Sequence, residues 1–176
     1  MIASQEKPAS STPLAQIYLD HHDRVFRAAY RIVGNTNDAE DVVQTVFMRL
    51  AGRQGDAPGI DELQSYLYRA AINTGLDLLR ARRKGQTVAL DEVEHYLEHD
   101  SLASDEDHRL RSLLRRALAE LSPRWAEMFV LKHLEGRDNK EIAVLCGTSQ
   151  AVVGVTLFRA RSQVKKALTA QSGGAL

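Results

Sequence analysis

The sequence predicts an all-α protein made of two small helical domains joined by an acidic linker. Apolar residues recur at i, i+3 and i+4 spacing along most of the 176 residues, and no stretch alternates convincingly like a strand. Only four Pro and eleven Gly interrupt the pattern, which permits long helices. The chain is 44% hydrophobic and 26% charged, a composition typical of a folded globular protein.

The distribution of charge divides the chain into three blocks. Residues 1–84 carry 11 Lys/Arg and 10 Asp/Glu, residues 85–107 carry eight acids and no Lys or Arg, and residues 108–176 carry 12 Lys/Arg and 5 Asp/Glu. The basic excess of the last block favours a nucleic-acid partner. We therefore expect a disordered tail at 1–13, a first domain at 14–84, a flexible acidic linker at 85–107, a second domain at 108–170 and a tail at 171–176.

The first two helices of the first domain are separated by a short break. The first helix is predicted over Pro13–Val33 and should stop at Gly34-Asn35, because both residues tolerate left-handed backbone angles. Thr36 or Asn37 can cap the second helix, whose first turn holds acids where the helix dipole favours them.

A third helix follows a loop rich in Gly, Pro and Asp at 52–59. Asp61 is the candidate N-cap, and the apolar spacing predicts a helix from Glu62 to about Arg83. Its last turn is a cluster of Arg and Lys, which suits the negative end of a helix dipole.

Four helices are predicted in the second domain. The first spans His108–Leu121, with Leu110 among its inward residues. Ser122-Pro123 fits an N-cap followed by Pro at the first helical position, and this second helix should run to about Leu134.

The last two helices have the form of a helix–turn–helix. Asp138 and Glu141 have capping-box spacing before a short helix over Asn139–Leu145. Gly147 suits the turn, and Thr148 or Ser149 can cap a final helix from Gln150 to about Ala170. The inner face of that helix is expected to hold Val152, Val153, Leu157 and Ala160.

Three groups of polar residues are candidates for function, and each has a simpler explanation. The basic outer face of the last helix, with Arg159, Arg161, Lys165 and Lys166, suits DNA, but a plain helical hairpin with a solvated face gives the same pattern. The third helix carries basic side chains, aromatic rings and an amide, which suit binding to unpaired nucleobases. The simpler explanation is that Tyr66 is part of the core and that the run of Arg residues caps the helix. The acid and amide face of the second helix can dock a partner or simply complement the helix dipole.

These segments together resemble the sigma-70 family of transcription initiation factors, in its extracytoplasmic-function (ECF) group. DAEDVVQTVFMRL, residues 38–50, resembles region 2.2, and SYLYRAAINTGLDLLRARRK, residues 65–84, resembles regions 2.3 and 2.4. LSPRWAEMFVLKHLEGRDNKEIAVLCGTS, residues 121–149, resembles region 4, and LFRAR, residues 157–161, resembles the end of its recognition helix. The resemblance implies a region 2 helical bundle and a region 4 helix–turn–helix.

The resemblance also implies core RNA polymerase as a partner, through its β′ clamp helices and β flap. In the family the region 2.2 helix grips the clamp helices. Thr45 departs from the acid often found at its position. The residues implied in polymerase binding are Asp38, Glu40, Asp41, Gln44, Thr45 and Arg49.

Promoter DNA is the second implied partner, at its −10 and −35 elements. The loop at 52–60 resembles the family's specificity loop, which captures a base flipped from the −10 element. The residues implied at −10 are Tyr66, Arg69, Asn73, Arg80, Arg82, Arg83 and Lys84. Those implied at −35 are Ser149, Gln150, Val155, Phe158, Arg159, Arg161 and Lys165.

The recognition helix departs from the family pattern at three successive residues. Relatives commonly place a basic residue and a hydroxyl where this chain has Gly154 and Val155, and Thr156 stands where Arg is frequent. We hypothesise weaker hydrogen-bond readout at −35, partly replaced by contact of Val155 with thymine methyl groups.

Other classes of function find little support in the sequence. No catalytic residues, cofactor or metal are expected; His95 and His99 have ligand-like spacing, but nothing completes a site. One cysteine, Cys146, and no membrane-length apolar run lead us to expect a cytoplasmic protein without membrane insertion. An anti-sigma factor is a further expected partner. The alternatives are a stand-alone helix–turn–helix regulator and, of another class, a metal-dependent helical hydrolase.

Overall fold

The computed structural model describes residues 14–53, 60–86 and 104–172. These residues form seven α-helices and no strand, which confirms the all-α fold class. The expected tail at 1–13, most of the specificity loop, most of the acidic linker, and His95 with His99 lie outside the described residues. Of the expected tail at 171–176, Gln171 and Ser172 are helical instead, and the other four residues lie outside the described residues. The helices are α1 (Leu14–Val33), α2 (Thr36–Ala51), α3 (Ile60–Gln86), α4 (Asp105–Glu120), α5 (Pro123–His133), α6 (Asn139–Leu145) and α7 (Gln150–Ser172).

Helices α1, α2 and α3 pack against one another and form the N-terminal module. Each contributes apolar residues at helical spacing to a shared core, because that spacing puts them on one face. The largest fully buried side chains there are Val25, Ile32, Val42, Val43, Val46, Leu67, Ile72 and Leu76.

The break between α1 and α2 differs from the sequence-based prediction. Gly34 has the expected left-handed backbone, with φ of +81°, but Asn35 is extended, with φ of −147° and ψ of 156°. Asn35 is itself the N-cap of α2, since its side-chain oxygen accepts a hydrogen bond of 2.9 Å from the Asp38 amide. The prediction of Thr36 or Asn37 as the cap was wrong, because one glycine is enough to turn the chain and leaves Asn35 free to cap.

Two other helix starts lie earlier than predicted. Helix α3 begins at Ile60, so Asp61 lies within it rather than at its N-cap. Helix α4 begins at Asp105, where Ser104 and Asp107 form a capping box. The last acids of the predicted linker therefore form the first turn of a helix, where the helix dipole stabilises them.

Helix α7 is the centre of the C-terminal module, and α4, α5 and α6 all pack on it. Its buried stripe is Val153, Leu157, Ala160 and Val164. Val152, predicted to point inward, is 45% exposed, because a step of one residue rotates it off this stripe. Leu110 is likewise 56% exposed, since the fully buried part of α4 begins only at Ala117.

The helix–turn–helix is confirmed in its bounds and its caps. Asp138 and Glu141 form the predicted capping box at the start of α6. Gly147 provides the turn with φ of +59°, and the hydroxyl of Ser149 accepts a hydrogen bond of 3.3 Å from the Val152 amide. The axes of α6 and α7 meet at 103°, within the range that helix–turn–helix units adopt.

The two modules lie directly against each other. Helix α3 packs on both α4 and α5, and the buried side chains of the two modules form one continuous cluster. Nothing local in the sequence indicates this contact, because helical periodicity carries no information about pairs of residues that are far apart along the chain.

Replacing the N-cap of α2 should lower the stability of the fold. We expect Asn35→Ala to reduce the free energy of unfolding by about 1–2 kcal/mol, because an amide of the first turn loses its acceptor. Asn37→Ala is the matched control: Asn37 is exposed in the same turn, and its replacement should change the value by less than about 0.5 kcal/mol. Urea unfolding measures both, and equal effects would contradict the assignment of Asn35 as the cap.

Candidate functional site

The acidic face predicted on α2 is divided between exposed and buried residues. Glu40, Asp41 and Gln44 are exposed and follow one another around one side of the helix. Glu40 also lies 3.7 Å from the His22 ring, which ties it to α1. This side of α2 therefore presents carboxylates and an amide to solvent.

Asp38, by contrast, is only 6% exposed and is used within the module. Its carboxylate pairs with Arg82 of α3 and accepts a hydrogen bond from the side-chain amide of Asn35. Asp38 and Arg82 therefore connect the start of α2 to the end of α3, where their charges hold the two helices together.

Thr45 and Arg49 form hydrogen bonds within the N-terminal module. The Thr45 hydroxyl donates to the Asp41 carbonyl at 2.8 Å, one turn back along α2. Arg49 donates to the Thr74 hydroxyl of α3 at 3.1 Å. Both side chains therefore donate hydrogen bonds to other residues of the N-terminal module.

Two residues of the α3 face, Arg69 and Asn73, hold one carboxylate of the C-terminal module. Arg69 Nε donates to Glu127 Oε1 at 2.7 Å, and its Nη2 donates to Oε2 at 3.3 Å. Asn73 Nδ2 donates to the same Oε1 at 3.1 Å. Glu127 is only 6% exposed, and its hydrogen bonds raise the pKa of Arg69, so this guanidinium stays charged.

The remaining −10 candidates lie along the rest of α3. Arg80 donates to Asp77 at 3.0 Å, and Arg83 lies 3.7 Å from Glu120 of α4. Lys84 is exposed. Tyr66 is half-buried, and the Arg53 guanidinium lies 4.2 Å from its ring centroid, beside the start of the predicted specificity loop.

A second carboxylate of the C-terminal module, Glu135, is held by α1 and α3. Glu135 Oε2 accepts from Arg31 Nη1 and from the Tyr68 hydroxyl, both at 2.7 Å. The guanidinium carbons of Arg24 and Arg137 lie 5.6 and 5.4 Å from the Tyr68 ring. Burial and the Glu135 carboxylate raise the pKa of Tyr68, so its hydroxyl remains a donor.

In a third contact between the modules, a side chain of α4 covers the C-terminal end of α1. Arg115 of α4 donates to the Ile32 carbonyl at 3.0 Å, which satisfies an acceptor that the end of a helix leaves open. Its guanidinium lies where a side chain of Gly34 would be: a Cβ there would stand 2.0 Å from Arg115 Nη2. Gly34 is thus required both by its left-handed backbone and by this close approach.

Sequence reasoning missed the carboxylates that join the modules. Glu127 lies in the run Trp125–Leu131 of α5, where the other residues are mainly apolar and buried. A single charge inside such a run is the signal that could have found it, because a buried carboxylate needs a cationic partner. Its partners, Arg69 and Asn73, are 58 and 54 residues away, and nothing local identifies them.

Comparison with known families decides the class of this molecule. Residues 17–85 match the family model of sigma-70 region 2, and residues 111–164 match that of sigma-70 region 4. The chain belongs to the sigma-70 family. It acts in transcription initiation through promoter recognition, as the sequence predicted.

Curated relatives place this sigma factor in the ECF group. It is 32% identical over 166 residues to the ECF RNA polymerase sigma factor SigE of Mycolicibacterium smegmatis, which covers 89% of the chain but only 62% of that relative. It is 33% identical over 151 residues to the RNA polymerase sigma-E factor of Streptomyces coelicolor, covering 85% of the chain and 82% of that relative.

Solved structures support the fold of the sigma factor. The sigma factor RpoE of Bartonella quintana, in complex with the anti-sigma factor NepR, has a TM-score of 0.54 at 21% identity and covers 90% of this chain and 98% of that one. CnrH, in complex with the cytosolic domain of CnrY, has a TM-score of 0.51 at 25% identity and covers 89% and 88%.

All seven residues predicted at −35, which lie on the recognition helix of the sigma factor or directly before it, are exposed. Ser149, Gln150, Arg159, Arg161 and Lys165 are exposed, Val155 is 53% exposed and Phe158 is 70% exposed. Thr156 is buried, so it faces the module core. A Cβ added to Gly154 would meet no atom within 4 Å, and this position is therefore open to a side chain.

The described residues show neither a metal site nor a single membrane-spanning helix. In residues 14–53, 60–86 and 104–172, no three His, Cys, Asp or Glu side chains are grouped to hold a metal ion. No single helix in the same ranges is long and apolar enough to cross a membrane; only the bent pair α6 and α7 passes that test, by length and composition.

The one cysteine should react slowly in the folded protein. Burial, and after it the Glu127 carboxylate, raises the pKa of Cys146 to about 11, so its thiolate becomes abundant only above about pH 10. At pH 8 we expect iodoacetamide to modify Cys146 about a hundredfold more slowly than a free cysteine. Modification of the urea-unfolded chain is the control, and similar rates in both states would contradict the burial of this thiol.

Proposed function

We propose that this sigma factor docks on the β′ clamp helices of core RNA polymerase through the exposed face of Glu40, Asp41 and Gln44. The observation that carries the proposal is that these side chains are exposed, while Asp38 beside them is buried in an ion pair with Arg82. Carboxylates on a helix that is packed into the module are suited to a basic partner, because the backbone that carries them does not have to be ordered on binding. In this proposal Asp38, Thr45 and Arg49 support the docking surface.

We further propose that α3 binds the opened strand of the −10 element. The cations Arg69, Arg80, Arg82, Arg83 and Lys84 attract phosphates, while Tyr66 and Asn73 stack on or hydrogen-bond to unstacked bases. Binding energy for the exposed bases offsets the cost of melting, so no chemical step is needed. The chain is therefore proposed to be a non-enzymatic factor without a cofactor.

Recognition of the −35 element is assigned to the exposed side of α7. Its first two turns carry no charge, and its cations begin at Arg159. We propose that Val155 and Phe158 contact bases by apolar surface, that Ser149 and Gln150 contact the strand at the helix start, and that Arg159, Arg161 and Lys165 bind phosphates. The β flap is the proposed polymerase contact of this module.

The location and regulation of the factor follow from the same proposal. It would act in the cytoplasm, where polymerase and promoter are found. An anti-sigma factor that covers the face of α2 would keep it from polymerase. The acidic residues between α3 and α4, at 87–103, would follow the basic channels of polymerase toward its active site.

Reversing one charge on α2 should weaken binding to polymerase. We expect Asp41→Lys to lower affinity for core polymerase by about tenfold or more, because a cation would face a basic partner. Fluorescence polarisation with purified core polymerase measures the affinity, and run-off transcription measures the activity.

Glu106→Lys is the control for this charge change. Glu106 is exposed on α4, away from α2, so its replacement should leave affinity within about twofold. If the two variants bind polymerase alike, the face of α2 is not the docking surface.

A cation at Gly154 should strengthen binding to the −35 element. We expect Gly154→Arg to bind promoter duplex about three- to tenfold more tightly as holoenzyme, because the open position lets Arg reach a phosphate or a base. Each added phosphate contact also steepens the salt dependence of binding by a slope of about one.

Gly154→Ala separates the new charge from the gain in helix propensity. It should stabilise α7 by up to about 1 kcal/mol and leave the salt dependence unchanged. An arginine variant that binds no more tightly than the alanine variant would contradict the proposed weak readout at −35.

A further inference from the structure

A cleft of about 540 Å³ is lined by α1 and α3 on one side and by α6 with the residue directly before its cap on the other. Its volume lies in the range of small-molecule sites, about 300–1,000 Å³, and such sites occur preferentially between domains. None of the residues that line the cleft belongs to the surfaces that we propose for polymerase or for DNA. The cleft is therefore a candidate for a further function of the sigma factor.

Two cations of the cleft, one from each module, have no carboxylate partner in the described part of the chain. Arg24 of α1 donates only to the neutral side chain of Gln64, at 3.2 Å, and Lys140 of α6 forms no ion pair there. A third cation, Arg137, lines the cleft as well. Its Nε is buried without a hydrogen-bond partner among the described residues. These groups retain donors and positive charge for a ligand.

The carboxylates that line the cleft are already used to form the start of α6. Asp138 Oδ1 accepts from the Glu141 amide at 2.8 Å, and Glu141 Oε2 accepts from the Asp138 amide at 2.9 Å. Glu141 Oε1 also accepts from Arg137 Nη1 at 3.0 Å. Because both carboxylates are engaged in this way, the charge that remains available in the cleft is positive, and it favours an anion.

Apolar surface lines the same cleft. Val144 is 76% exposed, and Leu145 beside it is half-buried. On the side of α3, the cleft is lined by Tyr68, and the guanidinium carbons of Arg24 and Arg137 lie 5.6 and 5.4 Å from its ring centroid. An apolar body in the cleft removes Val144 surface from water, which is favourable. A few polar groups beside apolar surface are the combination found in sites for small organic molecules.

From these observations we propose that the cleft binds a small organic anion, a molecule that carries one negatively charged group and an apolar body. The cations Arg24, Arg137 and Lys140 attract the charged group, and the apolar body covers Val144. Since the lining comes from both modules, the ligand adds to the contact between them and favours the arrangement that it binds. The sigma factor would thereby respond to the concentration of such a molecule, whichever surfaces bind polymerase and DNA.

The test uses anilinonaphthalene sulfonate, an organic anion with apolar rings and one sulfonate, whose fluorescence rises in apolar surroundings. N-phenylnaphthylamine has the same rings without the sulfonate, and it controls for apolar binding alone. Fluorescence titration of the folded full chain measures both affinities. We expect saturable binding of the sulfonate probe, about tenfold tighter than that of the neutral probe.

Substitutions in both modules test whether the probe binds in the cleft. Arg24→Gln and Lys140→Gln each remove one exposed cation, and each should weaken binding of the sulfonate probe about threefold. The double variant should weaken it about tenfold. Lys166→Gln is the matched control: Lys166 is exposed on α7 and does not line the cleft, so the affinity should change less than about twofold.

Losses of affinity with both Arg24→Gln and Lys140→Gln, at unchanged helix content by circular dichroism, support a site between the modules. If only one of them weakens binding, the probe binds the surface of a single module, and the proposal is overturned. It is also overturned if the sulfonate and neutral probes bind alike, or if Lys166→Gln has as large an effect as the cleft variants.

Discussion

The buried carboxylate of Glu127 is the interaction on which the arrangement of the whole molecule depends. A charge with 6% exposure is stable only when cationic and amide donors surround it, and here those donors come from the other module. These contacts join the modules through Arg69 and Asn73, two residues that we propose to bind the −10 strand. If only the linker joined the two modules, the Glu127 carboxylate would be exposed to water.

Within the N-terminal module, similar electrostatics serve a different purpose. Asp38 is held by Asn35 and Arg82, so the start of α2 and the end of α3 are fixed relative to each other. The exposed acids Glu40 and Asp41 follow Asp38 within one turn of α2, so the part of the helix that carries them is fixed in place. In the proposed function, this division lets one helix supply both a structural ion pair and a docking face.

Local chemistry explains what the sequence could predict. The capping box of Asp138 and Glu141 acts within four residues, so the bounds of α6 followed directly from the sequence. The capping box of Ser104 and Asp107 is just as local, but its acids looked like a linker because they continue an acidic run. The cap at Asn35 was missed because Gly34 and Asn35 were predicted to end α1 together, whereas Gly34 alone forms the turn. The contacts of Glu127, Glu135 and Arg115 join residues more than 50 positions apart, and periodicity carries no information about such pairs.

The distance between the modules, measured in the native chain and in the Glu127→Gln variant, tests the central claim most directly. Spin labels on Arg27→Cys and Gln163→Cys, both exposed, would report it by pulsed electron paramagnetic resonance, while the buried Cys146 stays unlabelled. We expect one narrow, short distance in the native chain and a broader distribution that reaches longer distances in the variant, because the contact loses its charge-assisted hydrogen bonds. A native chain with a broad, long distribution, or a variant that keeps the narrow native distance, would contradict the role of Glu127 in joining the modules.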